Sequence, residues 1–182
     1  RDSHTAMYFI FKTLALLPLR ILQAVALFAA YVLYAFNSSI KRITTINIRL
    51  AYPELTQDVQ QQLIKKSMQS QFLTYVEFIK CWGMPPSYSL NLFKHIHGES
   101  VLTEALANQK GVIVVVPHFG SWEMLNAWLN VYTAPMIMYK PNKNKGIDRF
   151  MLEARQRLNA TLVPTDENGV RSIFKHLKQG GL

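Results

Sequence analysis

The stretch from Ile21 to Phe36 reads ILQAVALFAAYVLYAF, and Gln23 is its one strongly polar residue. Between Met7 and Phe36 the only charges are Lys12 and Arg20. Counted back to Thr13, the run reaches the roughly 20 mostly apolar residues that a bilayer-spanning helix needs. No strongly polar stripe interrupts it. A membrane anchor over residues 1–36, spanning the bilayer or lying in one leaflet, follows from this; a long buried core helix is the alternative. Arg20 can snorkel to the headgroups from a helix end. Pro18 marks a kink or the start of the buried part, and Tyr31, Tyr34 and Phe36 suit an aromatic belt. The run is longer than the roughly 7–15 residues of a secretory signal core, and no clear A-x-A cleavage site follows it. Lys41, Arg42 and Arg49 come next, and the positive-inside bias places the main body on the cytoplasmic side.

Composition narrows the class. In 182 residues, 20 Lys and Arg stand against 11 Asp and Glu, a net charge of +9, yet 49% of residues are hydrophobic. A disordered basic tail is not that apolar. One Cys excludes a disulfide scaffold and a thiolate zinc cluster. Cys81 fits a reducing compartment and reads as a packing residue. A basic and apolar chain fits anionic membrane lipid as readily as nucleic acid. No nucleic-acid recognition motif accompanies the charge, so no nucleic-acid partner is expected.

Residues 37–94 read as a polar connection over 37–55 followed by a helical segment. From Thr56 to Lys80, Val59, Leu63, Met68, Phe72, Val76 and Ile79 recur at helical spacing. Thr56 suits the N-cap, Asp58 suits the first turn, and Gly83, Pro85 and Pro86 break the chain. Residues 95–182 change rhythm. A helix over 99–109 ends at Gly111. Val112 to Val116 is a β-branched run, apolar on both faces, which predicts a strand buried in a parallel sheet. A loop carrying His118 then leads into a helix over about Trp122 to Val131. Next come a strand (Met136 to Tyr139), a helix (about Ile147 to Leu158), a strand (Ala160 to Val163) and a helix (about Gly169 to Gln179). Alternating strands and helices predict an α/β fold, a mostly parallel sheet flanked by helices. Gly180-Gly181 is a C-cap signal, and the next element in this rhythm is a strand. The chain also begins at Arg1, so both ends read as cut from a longer protein.

The chemistry concentrates in VVVPHFGSWEML, residues 114–125. On one continuous helix, His118 and Glu123 would diverge by about 140° at 100° per residue. They meet only if His118 sits in the loop and Glu123 in the helix. Sites in open α/β sheets form at the carboxyl ends of strands, where His118 falls. A His held by a carboxylate is fixed in one tautomer and is the better base. It could take a proton from a hydroxyl attacking a carbonyl, with helix N-terminal N–H groups holding the oxyanion. A loop histidine and a helix-start charge without catalytic role are the alternative.

His118-Phe119-Gly120-Ser121-Trp122-Glu123 resembles the H-F-G-N-W-E block of the late acyltransferases of lipid A biosynthesis, the lauroyl and myristoyl transferases of Gram-negative bacteria. Ser121 stands where Asn is commoner. The apolar opening followed by NIRLAYPELT, Gly98 to Val116, Tyr139-Lys140-Pro141-Asn142 (with Lys140 in the Arg place of a Y-R-P block), Arg155-x-Arg157 and Leu177 to Gly181 resemble further family segments in order. The last resembles the lead-in to an aspartate-containing segment that this chain lacks. The resemblance implies a glycerolphosphate-acyltransferase-like fold, of which residues 95–182 are the first part of the catalytic domain. It implies transfer of a fatty acyl chain from acyl carrier protein to a hydroxyl of a phosphorylated lipid A precursor at the cytoplasmic face of the inner membrane. His118 would be the general base and Glu123 its orienting partner. Gly120 and Ser121 would line the substrate site. No metal and no cofactor are implied; acyl-acyl carrier protein is the co-substrate.

From Lys140 to Arg157 there are six bases and two acids, a net of +4. A solvated helix face with partial pairing is one reading; recognition of phosphate or of the acidic carrier is the other. By resemblance, Arg155 is the first site candidate, with Arg157, Arg149 and Lys140 behind it. Arg155 and Arg157 lie two apart and point to different sides of a helix. His95 and His97 have no evident third ligand, so no metal is expected. Trp82, Trp122 and Trp128 read as core or interface residues. Two rival functions remain at this level: the same chemistry on a glycerolipid or lysophospholipid, and non-enzymatic binding of anionic lipid.

Overall fold

A computed structural model describes residues 2–182. In chain order these form α1 (Asp2–Leu16), α2 (Leu19–Ala35), α3 (Ser39–Ala51), α4 (Gln57–Gly83), α5 (Pro86–Leu90), α6 (Glu99–Ala107), α7 (Met124–Tyr132), β1 (Met136–Tyr139), α8 (Lys145–Gln156), β2 (Thr161–Pro164) and α9 (Glu167–Lys178). The chain divides into two compact units. One is Leu17–Lys80; the other joins the N-terminal helix to Cys81–Leu182.

In the Leu17–Lys80 unit, the anchor expected as one helix is interrupted. α1 ends at Leu16 and α2 begins at Leu19 behind Pro18, whose φ is −54° and ψ is 135°. Proline removes a helical donor and clashes with the carbonyl four residues back, so the ladder cannot run through it. The 17 residues of α2 rise about 26 Å, short of the roughly 30 Å hydrocarbon core. Among the described residues no single helix is long and apolar enough to cross a membrane; α1 and α2 pass by length and composition only as a broken pair. Three contacts order α2 and the break before it against α4. The Tyr34 hydroxyl donates to Gln61 (3.0 Å), Gln23 donates to Glu77 (3.2 Å), and Lys80 Nζ donates to the Leu17 carbonyl (2.9 Å). Rising numbers on one helix meet falling numbers on the other, so the two run antiparallel. Burial pushes the Lys80 ammonium below the usual lysine range. Leu22, Ala26 and Ala30, four residues apart, form the buried stripe of α2. Ile21, Val25 and Phe28 on its other side are 51%, 60% and 68% exposed.

Residues 37–55 are not a polar connection, because α3 occupies most of them. Ser38 caps it by accepting from the Lys41 N–H. Of its five large aliphatic residues, Ile40 and Ile48 are half-buried, and Ile43, Ile46 and Leu50, spaced at three and four, are exposed. The many polar residues on the other faces hide this stripe from a composition reading.

In the second unit, Phe150 of α8 is the packing centre, 1% exposed. Tyr8, Phe11 and Trp82 surround its ring at centroid distances of 6.5, 5.9 and 6.4 Å. α1 lies against α8, and the Tyr8 hydroxyl donates to Glu153 at 2.8 Å. α8 starts at Lys145 because Asn144 accepts from the Gly146 and Ile147 N–H groups. β1 and β2 pair in parallel, from Met136 with Thr161 to Tyr139 with Pro164, with α8 as the crossover. This small parallel sheet agrees with the α/β expectation, and helices dominate around it.

The strand expected over Val112–Val116 does not form. A strand needs partners for its ladder. The Val112 N–H donates to Gly181 at 3.0 Å, and among the described residues Ile113 to Val116 make no backbone–backbone hydrogen bond. Ile113 and Val115 stand 74% and 86% exposed.

The α1–α8 contact depends on a missing side chain. A Cβ on Gly146 would lie 1.9 Å from the His4 backbone oxygen. Gly146→Ala is expected to destabilise the protein by about 1–3 kcal/mol, as overpacking does. A chemical-denaturation midpoint equal to wild type would contradict this contact.

Candidate active site

His118 and Glu123 fall on either side of a change in environment. His118 is exposed in the loop after the 112–116 run, and its ring lies 4.9 Å from Trp122. Phe119 is 86% exposed. Gly120 takes φ +58°, the left-handed region where glycine carries no Cβ penalty, and faces open space. The chain then winds up before the helix proper: Met124 N–H donates to Ser121 and Leu125 N–H to Trp122, both at 3.0 Å. Glu123 is the N-cap residue of α7, with φ −60° and ψ −25°.

The Glu123 side chain is 3% exposed. A bare carboxylate there would cost several kcal/mol, so its donors matter. Oε1 accepts from Arg155 Nη2 at 3.3 Å. Oε2 accepts from Trp82 Nε1 at 3.1 Å and from Asn126 Nδ2 at 3.0 Å. His118 is not among these donors; its ring packs on Trp122.

Arg155 completes the centre from α8. Its side chain is 10% exposed, and its guanidinium sits over the Tyr139 ring, 5.4 Å from the centroid. Its Nε is buried without a hydrogen-bond partner. Burial and a hydrogen bond to Asp148 push the Tyr139 hydroxyl up to about 12. The other bases go elsewhere. Arg157 is exposed and donates to the Trp82 carbonyl. Arg149 pairs with Glu153 at 3.1 Å and lies 4.2 Å from the Tyr8 ring centroid. Lys140 is exposed just past β1. A groove of about 570 Å³ runs along this basic segment and includes Lys143, Lys145 and Arg149. The structure thus brings Arg155 to Glu123 and leaves Lys140, Arg149 and Arg157 outside that contact.

Two partners of Glu123 were not singled out from the sequence. Asn126 was legible, because it lies three residues along the same helix. Trp82 was not, because it comes from the end of α4, 41 residues away.

Residues 4–182 match the family described as bacterial lipid A biosynthesis acyltransferase. A lipid A biosynthesis palmitoleoyltransferase of Escherichia coli K12 is 26% identical over 134 residues, which is 74% of this chain and 43% of that protein. The lipid A biosynthesis lauroyltransferase of the same strain is 22% identical over 139 residues, 76% of this chain and 44% of that protein. A lipid A biosynthesis acyltransferase of Haemophilus influenzae is 23% identical over 133 residues, 72% of this chain and 41% of that protein. In each case the match spans less than half the length of the relative.

Arg155→Met leaves the Glu123 carboxylate buried without its cation and is expected to cost about 3–5 kcal/mol of stability. Adding Glu123→Leu should restore much of that loss, whereas additive losses in denaturation would mean the two are not coupled. Tyr139 gives a pH signature. Above about pH 10 the unfolded chain ionises this tyrosine while the folded chain keeps its proton up to about pH 12. Stability therefore falls as pH rises through that window. In Tyr139→Phe the fall in denaturation midpoint between about pH 10 and pH 12 is expected to be shallower.

Proposed function

This chain belongs to the bacterial lipid A biosynthesis acyltransferases, and from that membership we propose that its His118 loop and Glu123 carry the transfer of a fatty acyl chain. The donor in this reading is an acyl thioester on acyl carrier protein. The acceptor is a hydroxyl of a phosphorylated lipid A precursor. His118, exposed in its loop, removes the hydroxyl proton as that oxygen attacks the thioester carbonyl. The oxyanion is held by N–H groups of the turn leading into α7, and the carrier thiolate leaves as the ester forms. Glu123 acts beside it as a positioning carboxylate, oriented by Arg155, Trp82 and Asn126. Gly120 and Ser121 border the reacting atoms. The groove with Lys143, Lys145 and Arg149 offers charge for the precursor's phosphates, and Lys140 and Arg157 add to the basic surface. No metal or cofactor takes part. The observation that carries this reading is the ordered family match across residues 4–182, with the His118 loop at one side of a buried, triply bonded Glu123.

Membrane association is part of the same reading, with the body on the cytoplasmic face of the inner membrane. It is supported by two apolar stripes of the Leu17–Lys80 unit. Ile21, Val25 and Phe28 line one side of α2, and Ile43, Ile46 and Leu50 line α3 beside Arg42 and Arg49. Such a basic amphipathic helix lies in the headgroup region of anionic membranes.

Incubation of the full-length protein with lauroyl- or myristoyl-loaded carrier protein and a lipid A precursor is expected to add the mass of one acyl chain. His118→Ala should lower the rate by about 10²–10⁴-fold, the usual worth of a general base, with unchanged folding. Full activity in that variant would sink the mechanism. Ile43→Asp with Leu50→Asp should weaken co-sedimentation with vesicles containing phosphatidylglycerol. Binding equal to wild type would remove α3 from the membrane contact.

A further inference from the structure

Asp148 is a carboxylate among bases. It lines the groove of about 570 Å³ together with Lys143 and Lys145, where a negative charge repels a phosphate. The other acid of this segment is spent on cations: Glu153 pairs with Lys12 and Arg149. Among the described residues Asp148 enters no ion pair, although Arg149 follows it directly and Lys145 lies three residues before it. Its Oδ1 instead takes two donors from the chain leaving β1, the Tyr139 hydroxyl and the Asn142 backbone N–H, the latter at 2.6 Å.

The second of these bonds opens a relay that sets the shape of the whole loop. Asn142 Oδ1 accepts from the Asn144 N–H at 2.9 Å, and Asn144 Oδ1 accepts from the Gly146 and Ile147 N–H groups at 2.9 and 3.2 Å. The Asn144 carbonyl accepts from the Asp148 N–H at 2.9 Å and closes the circuit. Short polar side chains hold turns in this way, by accepting from backbone donors a few residues along. Asn142, Asn144 and Asp148 are thereby used inside the loop. Lys140, Lys143 and Lys145, interspersed with them, are exposed and enter no ion pair among the described residues.

The first bond leads to the other half of the site. The Tyr139 ring lies under the Arg155 guanidinium, 5.4 Å from its centroid, and Arg155 donates to Glu123 at 3.3 Å. Lysine loop and Glu123 centre therefore share one anchor, the Asp148–Tyr139 pair.

We propose that Asp148 is a positioning residue for the phosphorylated acceptor: its oxygen holds the Lys140–Lys145 loop in the shape that presents the lysines to phosphate, at a set place relative to Glu123. This role rests on the acyltransfer reading above and on the part given there to the basic groove. A loop ordered before the ligand arrives spares the cost of ordering it on binding. The carboxylate acts through its oxygen and the donors on it, and its charge opposes the ligand. Removing the oxygen and removing only the charge therefore push recognition in opposite directions.

Kinetics of the full-length protein with acyl-loaded carrier protein and two acceptors read this directly, one acceptor a lipid A precursor and the other the same lipid without its phosphates. Asp148→Ala deletes the oxygen and is expected to raise KM for the phosphorylated acceptor by about tenfold or more, the worth of a lost charge-assisted hydrogen bond. KM for the phosphate-free acceptor should move by less than about threefold. Asp148→Asn keeps an oxygen for both donors and drops the charge, so its KM for the phosphorylated acceptor is expected at or below wild type. An equal rise on both acceptors in Asp148→Ala would overturn the proposal, since it means general support of the fold. So would no rise in Asp148→Ala, or a rise in Asp148→Asn as large as in Asp148→Ala. Failure of the acyltransfer reading looks different, because wild type then adds no acyl chain to either lipid. In that event acetylation of Lys143 and Lys145, read by mass spectrometry with and without glucosamine 1-phosphate, decides. Protection by the phosphosugar is expected in wild type and Asp148→Asn and lost in Asp148→Ala; the same labelling in all three overturns the role.

Discussion

The buried carboxylate of Glu123 is the interaction on which the second unit is organised. A charge in that place is tolerable only with donors on both oxygens. Those donors come from the end of α4 through Trp82, from α7 through Asn126, and from α8 through Arg155. Arg155 in turn rests on the Tyr139 ring of β1. One carboxylate therefore gathers donors from up to 41 residues before it and 32 residues after it in sequence. The arrangement has a chemical consequence. A carboxylate with several fixed donors is a rigid electrostatic reference, whereas His118 is exposed and governed by its loop. Glu123 is held from three sides, while the His118 ring meets only Trp122 of the same loop and helix start among the ring contacts of the described residues.

Pairing decides which extended segment becomes a strand. β1 and β2 form a ladder because the α8 crossover brings them side by side in parallel. The Val112–Val116 run has the composition of a buried strand but only one bond to a neighbour. β-branched residues favour extended backbone, yet strand formation is a property of pairs and not of single segments. The exposed apolar stripes belong to the other unit, on α2 and α3.

Most helices were legible because their signals are local. Thr56 before α4, Gly83 and the two prolines after it, and Gly180 after α9 mark boundaries that the structure places within a few residues. The strand Met136–Tyr139 was read at the same bounds, since a four-residue apolar run between breakers leaves little choice. α3 escaped because its five isoleucine and leucine residues are each set singly among polar ones and look like a connection unless their spacing is followed. The break in the N-terminal run was visible as Pro18, but its apolar composition argued for continuity. In the site, the segment carrying His118 and Glu123 and the candidacy of Arg155 were read from motif order. The roles of Trp82 and Asn126 on the Glu123 carboxylate were not.

What the sequence alone determined is therefore what local backbone chemistry and side-chain order can encode: where helices begin and end, where the chain is apolar, and which block carries the reactive types. Which donors neutralise Glu123, which of the clustered arginines turns inward, and which β-branched run becomes a strand were decided by tertiary structure. The reason is physical. A buried charge and a strand edge each need a partner, and those partners are brought in by chain segments whose sequence separation carries no information about the contact.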